Sequence, residues 1–153
     1  MALMEVNFFS KALMRPVTMN VILPVDKVFF GEETEEENKP FKTLYLLHGV
    51  MGNYTDWVTG TCIKRWAEEK NLAVVMPSGA NMFYMDHPNA SENYSEFIGK
   101  ELVKITRRMF PLSHKKEDTF IAGLSMGGYG AIRNGLKYHD TFGYIAGLSS
   151  AMI

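Results

Sequence analysis

Gly123-Leu124-Ser125-Met126-Gly127 is a G-x-S-x-G pentapeptide, the segment of this chain best suited to covalent chemistry. An apolar, strand-like run, Thr119-Phe120-Ile121-Ala122, leads into it, and a helix-like run from Gly127 to Tyr138 leads out. In a strand–turn–helix context this motif holds a serine on a sharp, strained turn with its Oγ presented above a sheet. The flanking glycines let the turn close and the helix pack against the strand. The helix N-terminus favours negative charge developing near the hydroxyl. Ser125 is therefore the candidate nucleophile of an acyl-transfer reaction. Such a serine needs a histidine base and an acid that orients it, and in this arrangement both follow the serine in the chain. Only 28 residues follow Ser125 (153 minus 125), with His139 as their one histidine and Asp140 as their one acid. His139 lies 14 residues further along the predicted helix (139 minus 125). That is about 20 Å at the helical rise, against the ~3 Å that proton transfer requires. The pair reads as a surface helix end.

The oxyanion of an acyl-transfer intermediate needs backbone N–H donors. One comes from the residue after the nucleophile, here Met126, and the other from the loop after the third strand. His48-Gly49-Val50 is that loop, at the end of the apolar run Thr43-Leu44-Tyr45-Leu46-Leu47. Ligands of a parallel sheet bind beyond the carboxyl ends of its strands. Gly49 permits a close approach there and leaves the Val50 N–H as the second donor. His48 reads as scaffold of this loop rather than as a base. Of the remaining histidines, His87, in the loop Asn81–Asn93, is the one in-chain substitute for the missing base, and His114 lies in a loop before the serine.

The elements that must position these groups follow from periodicity. Leu3–Phe9 alternates and predicts a strand, as does Thr18–Val25, bounded by Pro16 and Pro24. Residues Gly31–Pro40 carry Glu32-Glu33-Thr34-Glu35-Glu36-Glu37 and read as a solvated acidic loop. Thr43–Leu47 and Leu72–Met76 are nearly all apolar, as expected of strands covered on both faces. Asp56–Asn71 predicts a helix with Ile63, Trp66 and Ala67 facing the core. Glu96–Phe110 predicts an amphipathic helix with Phe97, Ile98, Leu102, Ile105 and Met109 on its apolar side, stopped by Pro111. Tyr144–Leu148 predicts a last strand. Two antiparallel N-terminal strands followed by alternating strands and helices imply a mainly parallel α/β sheet with helices on both faces.

Composition sets the remaining bounds. The 153 residues suffice for one domain, and 46% apolar with 22% charged residues is ordinary globular composition. A net charge of −1 gives no field toward nucleic acid or anionic lipid, so Arg107-Arg108 and His114-Lys115-Lys116 read as solvated ends. No apolar run reaches the ~18 residues of a membrane span, so neither nucleic acid nor membrane is an expected partner. Met1-Ala2-Leu3-Met4-Glu5 lacks the pattern of a secretory signal. The single cysteine, Cys62, fits a half-buried thiol in a reducing compartment, so a cytoplasmic location is expected. No ligand cluster with metal spacing is present, and neither a metal nor an organic cofactor is expected.

The conjunction of His48-Gly49 with the G-x-S-x-G segment, each after an apolar strand, indicates an α/β-hydrolase fold. Leu46-Leu47-His48-Gly49, Gly52-Asn53-Tyr54, Asp56-Trp57 and Val74-Val75-Met76-Pro77 resemble the bacterial tributyrin-esterase group of the esterase D family. Phe120-Ile121-Ala122-Gly123-Leu124-Ser125-Met126-Gly127-Gly128-Tyr129-Gly130 matches that group closely. The wider family includes S-formylglutathione hydrolases, feruloyl and acetyl-xylan esterases, and mycolyltransferases. The resemblance runs from about Leu3 to Ser149 and corresponds to the N-terminal three-fifths or so of a family member. It implies Ser125 as nucleophile, the Val50 and Met126 amides as oxyanion donors, and Trp57, Phe83 and Tyr84, with Gly49, near the acyl or alcohol pocket. It also implies that the acid and histidine lie on loops after two strands beyond this chain.

The sequence-based expectation is thus a single domain over residues 1–153, the N-terminal portion of an α/β-hydrolase whose C-terminal strands are missing. Its function would be hydrolysis of short acyl esters through an acyl-enzyme on Ser125, with the isolated chain inactive or very weak. The alternatives are an inactive fragment serving as a binding or structural module, and an acyltransferase on the same scaffold. The last strand would be left as a sheet edge, so a second copy of the chain or a complementing C-terminal half is the expected protein partner, beside a small acyl ester.

Overall fold

The computed structural model describes residues 1–28, 30 and 38–153. The acidic run Gly31–Glu37 lies outside the described residues. Strands β1 (Ala2–Ser10), β2 (Arg15–Leu23), β3 (Lys42–Leu47), β4 (Leu72–Pro77), β7 (Thr119–Leu124) and β8 (Tyr144–Leu148) form one sheet in the order β1-β2-β4-β3-β7-β8. β2 pairs antiparallel with both β1 and β4. The β4–β3, β3–β7 and β7–β8 pairs are parallel. Two-residue strands β5 (Asp86–His87) and β6 (Glu92–Asn93) make a separate small hairpin.

Central strands need apolar side chains in both directions because each face is covered. On one face, Tyr45, Leu47, Val75 and Ile121 meet Phe97, Ile98, Leu102 and Ala131. On the other, Leu46, Val74 and Met76 meet Ile63 and Ala67. Burial holds the Tyr45 phenol up to about 12, and its hydroxyl lies 2.8 Å from Thr106 Oγ1.

Several elements depart from their sequence patterns. β2 begins at Arg15 and contains Pro16, which faces Phe9 of β1; pairing with β4 starts only at Met19. A missing N–H is tolerated where a strand has one neighbour. The helix expected over 56–71 is two helices, α1 (Asp56–Gly60) and α2 (Ile63–Glu69), separated at Thr61-Cys62. Thr61 is extended, and its hydroxyl accepts the Ile63 N–H at 3.2 Å, which starts α2 afresh. In the new phase Ile63 and Ala67 are buried while Trp66 and Cys62 are exposed, against expectation.

The helix expected over 96–110 runs as α3 (Tyr94–Glu96), a π-helical stretch (Phe97–Glu101) and α4 (Leu102–Met109). A π turn inserts one residue and rotates the following face by about a third of a turn. Val103 and Thr106 are therefore buried, and Met109 is exposed. The Tyr138 ring lies against Gly99 inside the π stretch, where a Cβ would collide with it. Helix α5 (Met126–Lys137) follows β7 directly.

Candidate active site

Ser125 sits between β7 and α5 with φ 56° and ψ −115°. A non-glycine residue held in such a conformation stores about 1–3 kcal/mol and persists only where its surroundings over-determine it. Here they do. The Ser125 N–H donates to the Leu148 carbonyl at 2.9 Å, and the Ser125 carbonyl accepts N–H groups from Tyr129 and Ala151, both at 3.0 Å. The two pentapeptide glycines are required by close approach. A Cβ on Gly123 would strike the Gly127 backbone, and one on Gly127 would strike the carbonyls of Leu47 and His48.

The loop after β3 meets this turn from the side. A Cβ on Gly49 would lie 3.6 Å from the Ser125 Cβ, so the strand-end loop and the elbow are in van der Waals reach. Val50 is half exposed and Met126 is buried at the first position of α5. Among the described residues, neither backbone N–H donates to another turn or loop backbone group. The neighbouring Met51 N–H is taken by Asn81 Oδ1 at 2.8 Å.

His48 is buried. Its Nε2 accepts the Gly79 N–H at 2.9 Å, and its Nδ1 lies 2.6 Å from the Gly49 carbonyl, to which it donates. Burial lowers its pKa; the Gly49 carbonyl and Asp56 act in the opposite sense. A neutral ring with both nitrogens engaged braces the loop and has no lone pair left for Ser125.

The aromatic residues expected near substrate occupy three different settings. Phe83 is half-buried, edge-on to Tyr129 of α5, with ring centroids 6.0 Å apart. Trp57 packs against the core beside α2, with its indole N–H buried and unpaired among the described residues. Tyr84 is completely buried, and its hydroxyl donates to the His48 carbonyl at 2.9 Å. It lies under the loop and presents no surface to a ligand. Desolvation raises the Tyr84 pKa above the usual tyrosine range, which keeps it a donor.

His87 belongs to the β5–β6 hairpin, paired with Glu92. His139 is exposed, with Nδ1 3.3 Å from Asp140 Oδ1. Neither makes a hydrogen bond to Ser125 among the described residues. No group of three or more metal-ligating side chains occurs among them either. Motif reading missed the segment Leu148–Ala151, which grips Ser125 through backbone atoms and so leaves no residue-type signal.

A mainly parallel sheet with a serine on a strained β7–α5 elbow defines an α/β-hydrolase. The chain belongs to the Esterase family, described as "Putative esterase", which it matches over residues 10–153. It is 50% identical over 153 residues to an acetyl esterase of Caldicellulosiruptor saccharolyticus, covering 100% of this chain and 58% of that protein. Its structure is similar to that of the S-formylglutathione hydrolase FrmB from Staphylococcus aureus (TM-score 0.82, 38% identity, 98% of this chain and 57% of that one). It is also similar to FphF, a fluorophosphonate-binding serine hydrolase of Staphylococcus aureus (TM-score 0.84, 38% identity, 97% and 57%). These agree with the esterase D resemblance, and the chain spans less than three-fifths of each relative's length. No helix among the described residues is long and apolar enough to cross a membrane.

Proposed function

We propose that residues 1–153 are the nucleophile-bearing portion, within one domain, of a serine carboxylic-ester hydrolase for short acyl esters. The observation that carries this reading is the backbone of Ser125, strained and pinned from both sides, with Gly49 in reach. Ser125 Oγ attacks the ester carbonyl carbon. The Val50 and Met126 N–H groups stabilise the oxyanion, and the alcohol leaves with a proton returned by a histidine outside this chain. Water then resolves the acyl-enzyme. The name of the acetyl esterase relative supports a small acyl group. Phe83 and Trp57 are proposed at the margins of the acyl and alcohol subsites, while Tyr84 supports the loop. The same reading places the protein in the cytoplasm. It also has the exposed β8 edge covered by a complementing C-terminal half or a second copy.

The test is hydrolysis of p-nitrophenyl acetate by the 153-residue chain. Loss of the base from a serine triad costs about 10⁶ in kcat, so turnover close to background is expected. Robust turnover abolished by Ser125→Ala would place the base within the chain or a second copy, with His87 the first to substitute.

A further inference from the structure

We propose that Tyr84 is a positioning residue for the oxyanion loop, acting through a buried hydrogen-bond chain that starts on α3 and passes through α5. The proposal rests on the esterase reading above. Ser95 Oγ donates to Asn134 Oδ1 at 2.6 Å, and Asn134 Nδ2 donates to the Tyr84 carbonyl at 3.1 Å. The Tyr84 hydroxyl donates to the His48 carbonyl at 2.9 Å. His48 then divides its ring between the Gly79 N–H at 2.9 Å and the Gly49 carbonyl at 2.6 Å. Ser95, Asn134, Tyr84 and His48 are all buried, so water does not compete for these bonds.

The packing leaves Tyr84 no freedom. Its ring lies between the backbones of Gly79 and Gly130, and a Cβ at either position would collide with it. Phe83 and Tyr84 are consecutive non-glycine residues with φ of 53° and 54°. Strain of this kind is kept only where the surroundings enforce it, and it clusters where geometry matters. The Asn134 amide on the Tyr84 carbonyl is one such enforcement. The product is a fixed His48 carbonyl, which the close-packed Gly127 also abuts. Gly49 and the proposed Val50 donor follow directly in the chain. Misplacing a catalytic group by about 1 Å costs on the order of 10²-fold in rate.

A core-filling tyrosine and a positioning tyrosine differ in what Tyr84→Phe does, because phenylalanine keeps the ring and loses only the bond to His48. In the 153-residue chain, hydrogen exchange at the Gly79 N–H and at the Gly52 N–H, which donates to the Gly49 carbonyl, should accelerate about tenfold. Amides of β3 and β7 should keep their wild-type rates. For catalysis, residues 1–153 are continued with the C-terminal remainder of the Caldicellulosiruptor acetyl esterase. In that hybrid, Tyr84→Phe should lower kcat for p-nitrophenyl acetate about 10- to 100-fold with KM within twofold.

Ser95→Ala removes the donor that holds the Asn134 amide in place without burying a charge and should give the same pattern at smaller size, which covers a Tyr84→Phe protein that does not fold. Wild-type exchange at Gly79 and Gly52 overturns the proposal. So does an unchanged kcat in a hybrid whose hydrolysis is abolished by Ser125→Ala. Hydrolysis that survives Ser125→Ala overturns the esterase reading instead. If the hybrid shows no turnover that depends on Ser125, the exchange result alone decides the positioning role.

Discussion

The two edges of the sheet are paired equally well and finished differently. β1 pairs with β2 along all nine residues, from Ala2↔Leu23 to Ser10↔Arg15. Its inward row, Met4, Val6 and Phe8, packs on the larger core, and its outward row, Leu3, Glu5, Asn7 and Phe9, is polar at the centre. β8 pairs with β7 along all five of its residues, yet every residue except Ile145 is exposed, including Tyr144 at 65% and Leu148 at 49%. It carries no charge, and Ile132 and Leu136 of the adjoining α5 are exposed at 38% and 63%. Backbone pairing on one side does not complete an edge. A strand also needs a layer over its faces or a polar row to discourage a second chain.

The largest expected effect separates the two sides by stability. Ile22, fully buried in β2, should cost about 2–5 kcal/mol when replaced by alanine, through lost transfer energy and the cavity left behind. Leu148→Ala removes a similar hydrocarbon from β8 and should change stability by no more than ~0.5 kcal/mol. Urea denaturation of the 153-residue chain measures both. Equal costs would mean that β8 is already covered in solution, and the contrast between the edges would disappear.

Association is the next effect in size. An apolar edge without gatekeeping charge is a template for another chain, and two copies of β8 would meet about a two-fold axis. Ile145 is not the residue to charge, because its side chain packs towards Gly135 and Ile121. Tyr144 is the better probe. Sedimentation at micromolar concentration should show self-association of the wild type, weakened about tenfold or more (roughly 1.4 kcal/mol) by Tyr144→Lys. A monomeric wild type, or association indifferent to Tyr144→Lys, would remove β8 as the contact.

The same contrast marks where the sequence was informative. Strand positions were legible because apolar alternation or continuity is local: β3, β4 and β8 lie where the runs Thr43–Leu47, Leu72–Met76 and Tyr144–Leu148 place them, within a residue at either end. The elbow was legible because Gly123 and Gly127 are demanded by contacts within one turn and to the adjacent β3. What failed was long-range. The π stretch at 97–101 goes with Tyr138 against Gly99, and this rotated the helix face that 3.6-residue counting had assigned. The family resemblance implied Tyr84 near the acyl or alcohol pocket. Its burial depends on Gly79 and Gly130, which no local pattern connects to it. The break at Thr61-Cys62 was likewise hidden, since Trp66 and Ala67 fit one helical phase as well as two.

The smallest effect tests whether the polar centre of β1 protects that edge. Glu5 is exposed, and its carboxylate accepts the Tyr54 hydroxyl at 3.1 Å. On the same outward row Asn7 Oδ1 accepts the Thr18 hydroxyl, so the polar atoms are engaged across the sheet while the surface stays hydrated. Replacing Glu5 by leucine would join Leu3 to a second apolar side chain and remove the charge that opposes edge-to-edge pairing. Each favourable cross-strand pair is worth about 0.2–1 kcal/mol, so Glu5→Leu in the Tyr144→Lys background should restore a few-fold of the lost association. The double variant isolates β1, because the β8 contact is already weakened. If association stays at the Tyr144→Lys level, the charge on β1 is not what keeps that edge free. Its protection would then lie in the covered inward row of Met4, Val6 and Phe8, and the lesson of the two edges would reduce to the missing layer over β8 alone.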